Sequence, residues 1–104
     1  MADQESRGIE VPDSESIENV VGVLGALSNR QRLLILCYLS QTEEVSVSDL
    51  NQHLDLSQSA LSQHLAKLRN EGYVTARKDG LKVYYQIARE DISRLLLFLH
   101  QEYC

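Results

Sequence analysis

No apolar run approaches the roughly 18 residues that a membrane-spanning helix needs. The chain also lacks a glycine-rich phosphate loop, internal repeats and low-complexity segments, and it holds one proline, Pro12, and two cysteines, Cys37 and Cys104. Positive charge is not in excess either, the formal net charge being −5. These shortages exclude a helical membrane span and a nucleotide enzyme built on a phosphate loop. No Ser-His-Asp grouping or paired carboxylate site is discernible, so an enzyme is not expected, nor is a cofactor. Met1–Glu10 is acidic and has no apolar stretch, which is unlike a signal peptide. A cytoplasmic location without a membrane partner is therefore expected. Cytosolic proteins rarely hold structural disulfides, and from spacing alone each cysteine reads as a small buried hydrophobe or an idle thiol.

At 104 residues the length fits one domain. Such a domain buries only about two-thirds of its unfolded surface, so an apolar face shared with a second copy would add to the core. The charge is unevenly placed. Met1–Glu18 holds six acids against Arg7 alone, which accounts for −5, and the rest is neutral. Within that rest, Leu56–Arg89 holds six bases and two acids, a local surplus where phosphate contacts would be wanted.

Residues 1–13 are polar and acidic and read as a disordered N-terminal arm. Residues 14–104 read as one folded domain. A first helix is expected from about Glu15 to Leu27, with Ile17, Val20, Val21, Leu24 and Leu27 as its apolar stripe and Asp13 or Ser14 as its cap. A second follows Ser28, whose pairing with Gln31 resembles a capping box. Its core, Leu33–Leu39, is apolar all round, as in a central, surrounded helix. Gln41–Glu44 reads as a loop and Val45 as a short strand. Ser46 caps a third helix carrying Val47, Leu50 and Leu54. After a turn at Asp55 and Leu56, Ser57 caps a fourth helix that runs to about Glu71 and stops at Gly72. Tyr73–Arg77 and Leu81–Ile87 read as a β-hairpin turning at Asp79-Gly80. A last helix from about Arg89 to Tyr103 carries Ile92, Leu95, Leu96, Leu99 and Tyr103, with Leu97 and Phe98 as a second apolar face. The fold class is thus mostly α with a hairpin. The first and last helices hold more apolar surface than one small domain uses, which predicts a homodimer through them.

A short helix, a tight break and a longer helix over Val47–Asn70 is the helix-turn-helix plan, whose second helix enters the major groove of double-stranded DNA. Counting about 100° per residue from Leu61 puts Leu65 and Leu68 within about 40° of it, on a buried side. Ser59, Ser62, Gln63 and Ala66 fall opposite. That outer face is small and uncharged, and its amide and hydroxyl groups can meet base edges. Ser57 and Gln58 stand at the leading end, where base contacts concentrate. His64 borders the buried stripe, where it either reaches a phosphate or caps the core. Lys67 lies farther along the helix. At the hairpin tip Arg77, Lys78 and Lys82 form a basic wing suited to phosphate or the minor groove. An ordinary surface helix with a solvated charged turn is the plain alternative, as is a winged-helix adaptor that binds proteins rather than DNA.

The stretches "ALSNRQR" from Ala26, "LLILCYL", "SVSDL", "LSQSALSQHLAKLRNEGYV" and "RKDGLKVYYQI", with the closing helix, resemble the ArsR/SmtB family of winged helix-turn-helix repressors over about Val20–Cys104. The resemblance implies a homodimer on operator DNA and an effector that releases it. One family metal site uses Cys-Val-Cys on the third helix, but the matching residues here are Ser46, Val47 and Ser48, without thiolates. A second site on the last helix is broken as well: Asp91 is followed by Ser93, and Cys104 stands where a histidine is expected. His53, His64 and His100 have no ligand spacing of their own. Cys37 on the second helix and Cys104 at the end of the last resemble the persulfide- and redox-sensing subgroup of the HlyU/SqrR/BigR type. That likeness implies two redox-sensing thiols joined by a disulfide or polysulfide bridge in response to reactive sulfur species or oxidants. A metal-responsive repressor with a non-standard site, for instance at His100 and Cys104, and a regulator without an effector remain as alternatives.

Overall fold

Side-chain caps mark where four of the helices begin; the last helix starts without one. The computed structural model of the chain describes residues 11–104. Most of the expected acidic arm, residues 1–10, lies outside the described residues. Helix α1 spans Ser14–Leu27, and the Asp13 side chain accepts the Ser16 amide at 2.8 Å. That bond holds the Asp13 carboxyl below its ordinary range. Helix α2 spans Arg30–Ser40, and its cap is Asn29, which accepts the Arg32 amide at 3.0 Å, rather than the expected Ser28. Ser28 is already engaged as the C-cap of α1, where its hydroxyl donates back to the Gly25 carbonyl at 3.2 Å. The guanidinium of Arg32 also donates to the Ala26 and Gly25 carbonyls and so helps to satisfy the end of α1.

Ile35, Leu36 and Leu39 of α2 are fully buried, and the helix packs against α1 and the later helices and strand described below. It is not surrounded on every side, because Leu34 remains exposed. The chain then forms strand β1, Val45–Ser46, and helix α3, Val47–His53, whose Asp49 amide donates to Ser46 Oγ at 3.1 Å. Helix α4 spans Gln58–Asn70 and starts at Ser57, whose Oγ accepts the Ala60 amide at 3.1 Å. At its far end Tyr73 N–H donates to the Leu68 carbonyl and Gly72 N–H to that of Arg69. These two bonds form a Schellman stop, with Gly72 in the left-handed region at φ 85°.

Strands β2, Val74–Asp79, and β3, Lys82–Ile87, make the hairpin, and β1 adds to its other edge to give the order β1-β3-β2. Asp79 pairs with Lys82, so the loop residues are Gly80 and Leu81, one position later than Asp79-Gly80. A turn centred on Asp79-Gly80 would hold both residues at positive φ, whereas among the described residues only glycines adopt it, Gly80 at 64°. Helix α5, Glu90–Tyr103, closes the fold. Its Ile92 and Leu96 are buried, while Leu97, Phe98 and Tyr103 are exposed, so Tyr103 belongs to the outer apolar face rather than to the core stripe. On α1, Ile17, Val20, Val21 and Leu24 are likewise 41–56% exposed. The architecture is the expected winged helix-turn-helix. Among the described residues no single helix is long and apolar enough to cross a membrane.

A methyl group added at Gly72 would meet nothing within 4 Å, so substitution there tests backbone conformation alone. Gly72→Ala is expected to lower unfolding free energy by about 1–2 kcal/mol, read from urea denaturation. An unchanged midpoint would show that α4 does not need its left-handed stop.

Candidate nucleic-acid interface

Leu61, Leu65 and Leu68 hold α4 against the core, each at most 1% exposed. This fixes the rotation of the helix and turns Ser59, Ser62 and Gln63 outward, with Ser57 and Gln58 exposed at its leading end. Ala66 and His64 are half-buried at the margins. No charged side chain occupies this face before Lys67, whose ammonium lies 3.0 Å from Glu71 one turn on. Short hydroxyl and amide groups can therefore approach a base edge without bulk or charge holding the helix off.

The leading end of α4 faces α3 and the wing tip across a cleft of about 600 Å³, lined by Gln58 and Ser62 from α4, Ser48 and Gln52 from α3, and Leu81 and Lys82 from the turn. Asn51, also on this cleft, has its side-chain oxygen buried without a hydrogen-bond partner. The α3 residues escaped the sequence reading. Their signal was faint: polar residues at i and i+4 on a short helix, indistinguishable from solvated positions until the wing closes the far side.

The wing divides its cations. Lys78 and Lys82 are exposed and make no ion pair among the described residues. Arg77 does not join them. Its Nε and Nη2 donate to the two carboxylate oxygens of Glu44, at 3.2 and 2.6 Å, and its guanidinium lies 4.9 Å from the centre of the Tyr84 ring. The Arg77 hydrogen bonds hold the Glu44 carboxyl below the usual carboxylate range. Glu44, in the loop before β1, was not identified from sequence, since nothing local announces a partner 33 residues away.

Cys37 is half-buried on α2, Cys104 is exposed after the last turn of α5, and both are free thiols. Burial pushes the Cys37 thiol up from its ordinary value, and the nearby charge of Cys104 pushes it further. Cys37 opens onto a second cleft of about 560 Å³ between α2 and α5, shared with Ser93, Leu97 and His100. The neighbouring Tyr38 hydroxyl lies 3.1 Å from His53 Nδ1, which in turn donates to the Asp49 carbonyl at 2.8 Å, linking the cysteine-bearing helix to α3. At the positions matching the missing thiolate pair, the Ser46 and Ser48 hydroxyls share a 3.3 Å hydrogen bond. Asp91 is engaged by Arg89 through two hydrogen bonds. Among the described residues no group of three or more His, Cys, Asp or Glu side chains is placed to hold a metal ion.

Known proteins share this fold and part of its sequence. The model of the bacterial regulatory protein arsR family matches residues 29–76, from the cap of α2 into the wing. The transcriptional activator HlyU of Vibrio cholerae is 45% identical over 84 residues, covering 81% of this chain and 77% of that protein. The biofilm growth-associated repressor of Agrobacterium fabrum is 34% identical over 97 residues, covering 92% of this chain and 82% of the relative. Among solved structures, reduced HlyU from Vibrio cholerae superposes with a TM-score of 0.82 at 42% identity, over 86% of this chain and 94% of that one. With the fold, the outward face of α4 and these likenesses together, the chain belongs to the ArsR family of winged-helix DNA-binding transcriptional regulators.

Proposed function

We propose that this regulator binds its operator as a homodimer, represses by occupying it, and releases or retains DNA according to the state of Cys37 and Cys104. The observation that carries the DNA-binding mode is the pairing of an uncharged, outward α4 face with free lysines at the wing tip across one cleft. In this mode Gln58, Ser59, Ser62 and Gln63 meet base edges in the major groove. Ser57, Lys78 and Lys82 contact the backbone, as does Lys67 once it leaves Glu71, and His64 stays at the margin of the interface. The exposed apolar faces of α1 and α5 supply the dimer contact, because patches of this kind on a small soluble domain mark an interaction surface. Two α4 helices then present themselves to half-sites about one helical turn apart.

The thiol switch is supported by two features: Cys104 is exposed, and it lies one helical turn beyond His100, which lines the same cleft as Cys37. The Cys104 thiolate attacks the outer sulfur of a low-molecular-weight persulfide, forms a protein persulfide and expels the parent thiolate. Cys37 gives up its proton and attacks the inner sulfur of Cys104, which closes a disulfide and expels hydrosulfide. A further sulfane sulfur would lengthen the bridge. Either product ties α2 to the dimer helix, and the Tyr38–His53 contact passes a shift of α2 to α3.

On a duplex selected from a random pool, Gln63→Ala is expected to cost about 1–3 kcal/mol and to relax preference at one position. Lys82→Ala should weaken all sequences alike and lower the salt slope by about 1. An unchanged affinity for both would remove this face from the interface.

Because the Cys37 thiol is pushed up, iodoacetamide at neutral pH should label Cys104 first, with Cys37 following only as pH rises towards and beyond its ordinary value of 9.0. After persulfide treatment, mass spectrometry should find Cys37 and Cys104 in one bridged peptide pair. Cys37→Ser should bind DNA normally and lose the response. A Cys37→Ser protein that still responds would remove the bridge from the mechanism.

A further inference from the structure

The wing is a two-stranded ribbon for most of its outer length, because β1 covers only Val45 and Ser46, opposite Tyr85 and Tyr84 of β3. Two-stranded hairpins are marginal by themselves in water. The rung formed by Arg77, Tyr84 and Ser46 is the last to be three strands wide before the ribbon leaves the body. At that rung the Arg77 side chain crosses over Tyr84 from β2 to the loop ahead of β1, where Glu44 takes it through two parallel hydrogen bonds. Its remaining nitrogen, Nη1, points towards Asp79 at 3.8 Å. The Nε–Nη2 edge of the guanidinium is thus committed to Glu44, and Asp79 lies near its remaining nitrogen. A phosphate could take that edge of Arg77 only by breaking a bidentate pair, a strong and geometrically specific hydrogen-bonded arrangement.

We infer that Glu44 and Arg77 are positioning residues that clamp the wing at its base and aim Lys78 and Lys82, and that Arg77 is not itself a phosphate contact. The inference rests on the wing tip lying against DNA, as proposed above. Glu44 also lowers the positive charge at the base of the wing, while Lys78 and Lys82 make no ion pair among the described residues at its end.

Sign decides between a clamp and a phosphate contact. If Arg77 met phosphate, Glu44→Gln would free it and tighten DNA binding, and Arg77→Gln would reduce the salt slope by about 1. A clamp requires Glu44→Gln and Arg77→Gln each to weaken binding by about two- to five-fold per protomer, the range for an exposed ion pair. The double variant should be no weaker than either single one, and the salt slopes should stay unchanged. Exchanging the pair, Glu44→Arg with Arg77→Glu, should recover affinity despite placing an acid on the wing. Backbone amides from Lys78 to Lys82 should exchange hydrogen faster in Glu44→Gln than in the parent protein.

Measurements at 0.15 M salt and above limit the long-range effect of the charge change. Tighter binding by Glu44→Gln, or no recovery on exchange, overturns the clamp. If Lys78→Ala and Lys82→Ala weaken binding while the Glu44 and Arg77 variants do not, the clamp fails and the wing contact stands. If all four leave affinity unchanged, the wing contact itself is wrong and the inference falls with it.

Discussion

Burial of three leucines on one side of α4 is the constraint from which the function follows. With Leu61, Leu65 and Leu68 almost wholly removed from water, the helix cannot rotate about its axis without exposing a large apolar side chain, a cost of about 1.5–3 kcal/mol for each. The opposite face is therefore held outward with equal firmness. The Ser57 cap sets where the helix starts and the stop at Gly72 sets where it ends. Rotation, start and end together place the serine and glutamine side chains in one fixed array. Because those residues are weaker helix formers than the usual glutamate and lysine, the face depends on the anchoring side for its shape.

Charge is used sparingly around that array. The acidic excess of the chain lies before and within the start of α1, far along the sequence from the reading helix. Near the interface, two cations are already held: Lys67 by Glu71 and Arg77 by Glu44. Long-range attraction to DNA is correspondingly modest, and shape and hydrogen bonding at α4 carry more of the discrimination. Elsewhere on the protein, apolar residues of α1 and α5 are left exposed, the surface proposed above for a second copy. A change in how α2 sits against α5, the two helices that carry the thiols, would act on both surfaces.

Much of this was legible in the chain because it is local. Leucines at i, i+4 and i+7 mark the buried side of α4, serines mark the starts of α3 and α4, and a glycine marks the end of α4. Where two local rules compete, sequence alone chooses badly. Ser28 satisfies a capping pattern for α2, yet its hydroxyl is taken by the end of α1, so Asn29 caps instead. Asp79-Gly80 is a turn dipeptide, but the register of the strands moves the turn on by one residue. Non-local pairs left no trace at all. Arg77 reads as a wing cation until the sheet brings Glu44 across β3, and Ser48 and Gln52 read as solvated until the wing forms the other wall of their cleft.

Amide chemical-shift mapping during titration with a selected operator duplex is the most direct test of an outward-reading α4. The largest changes should fall on Ser57–Gln63 and on the wing tip from Lys78 to Lys82, with the leucine-bearing core of α2 little altered. Changes concentrated on α1 and α5, with the α4 face unmoved at saturating DNA, would contradict the placement of the interface.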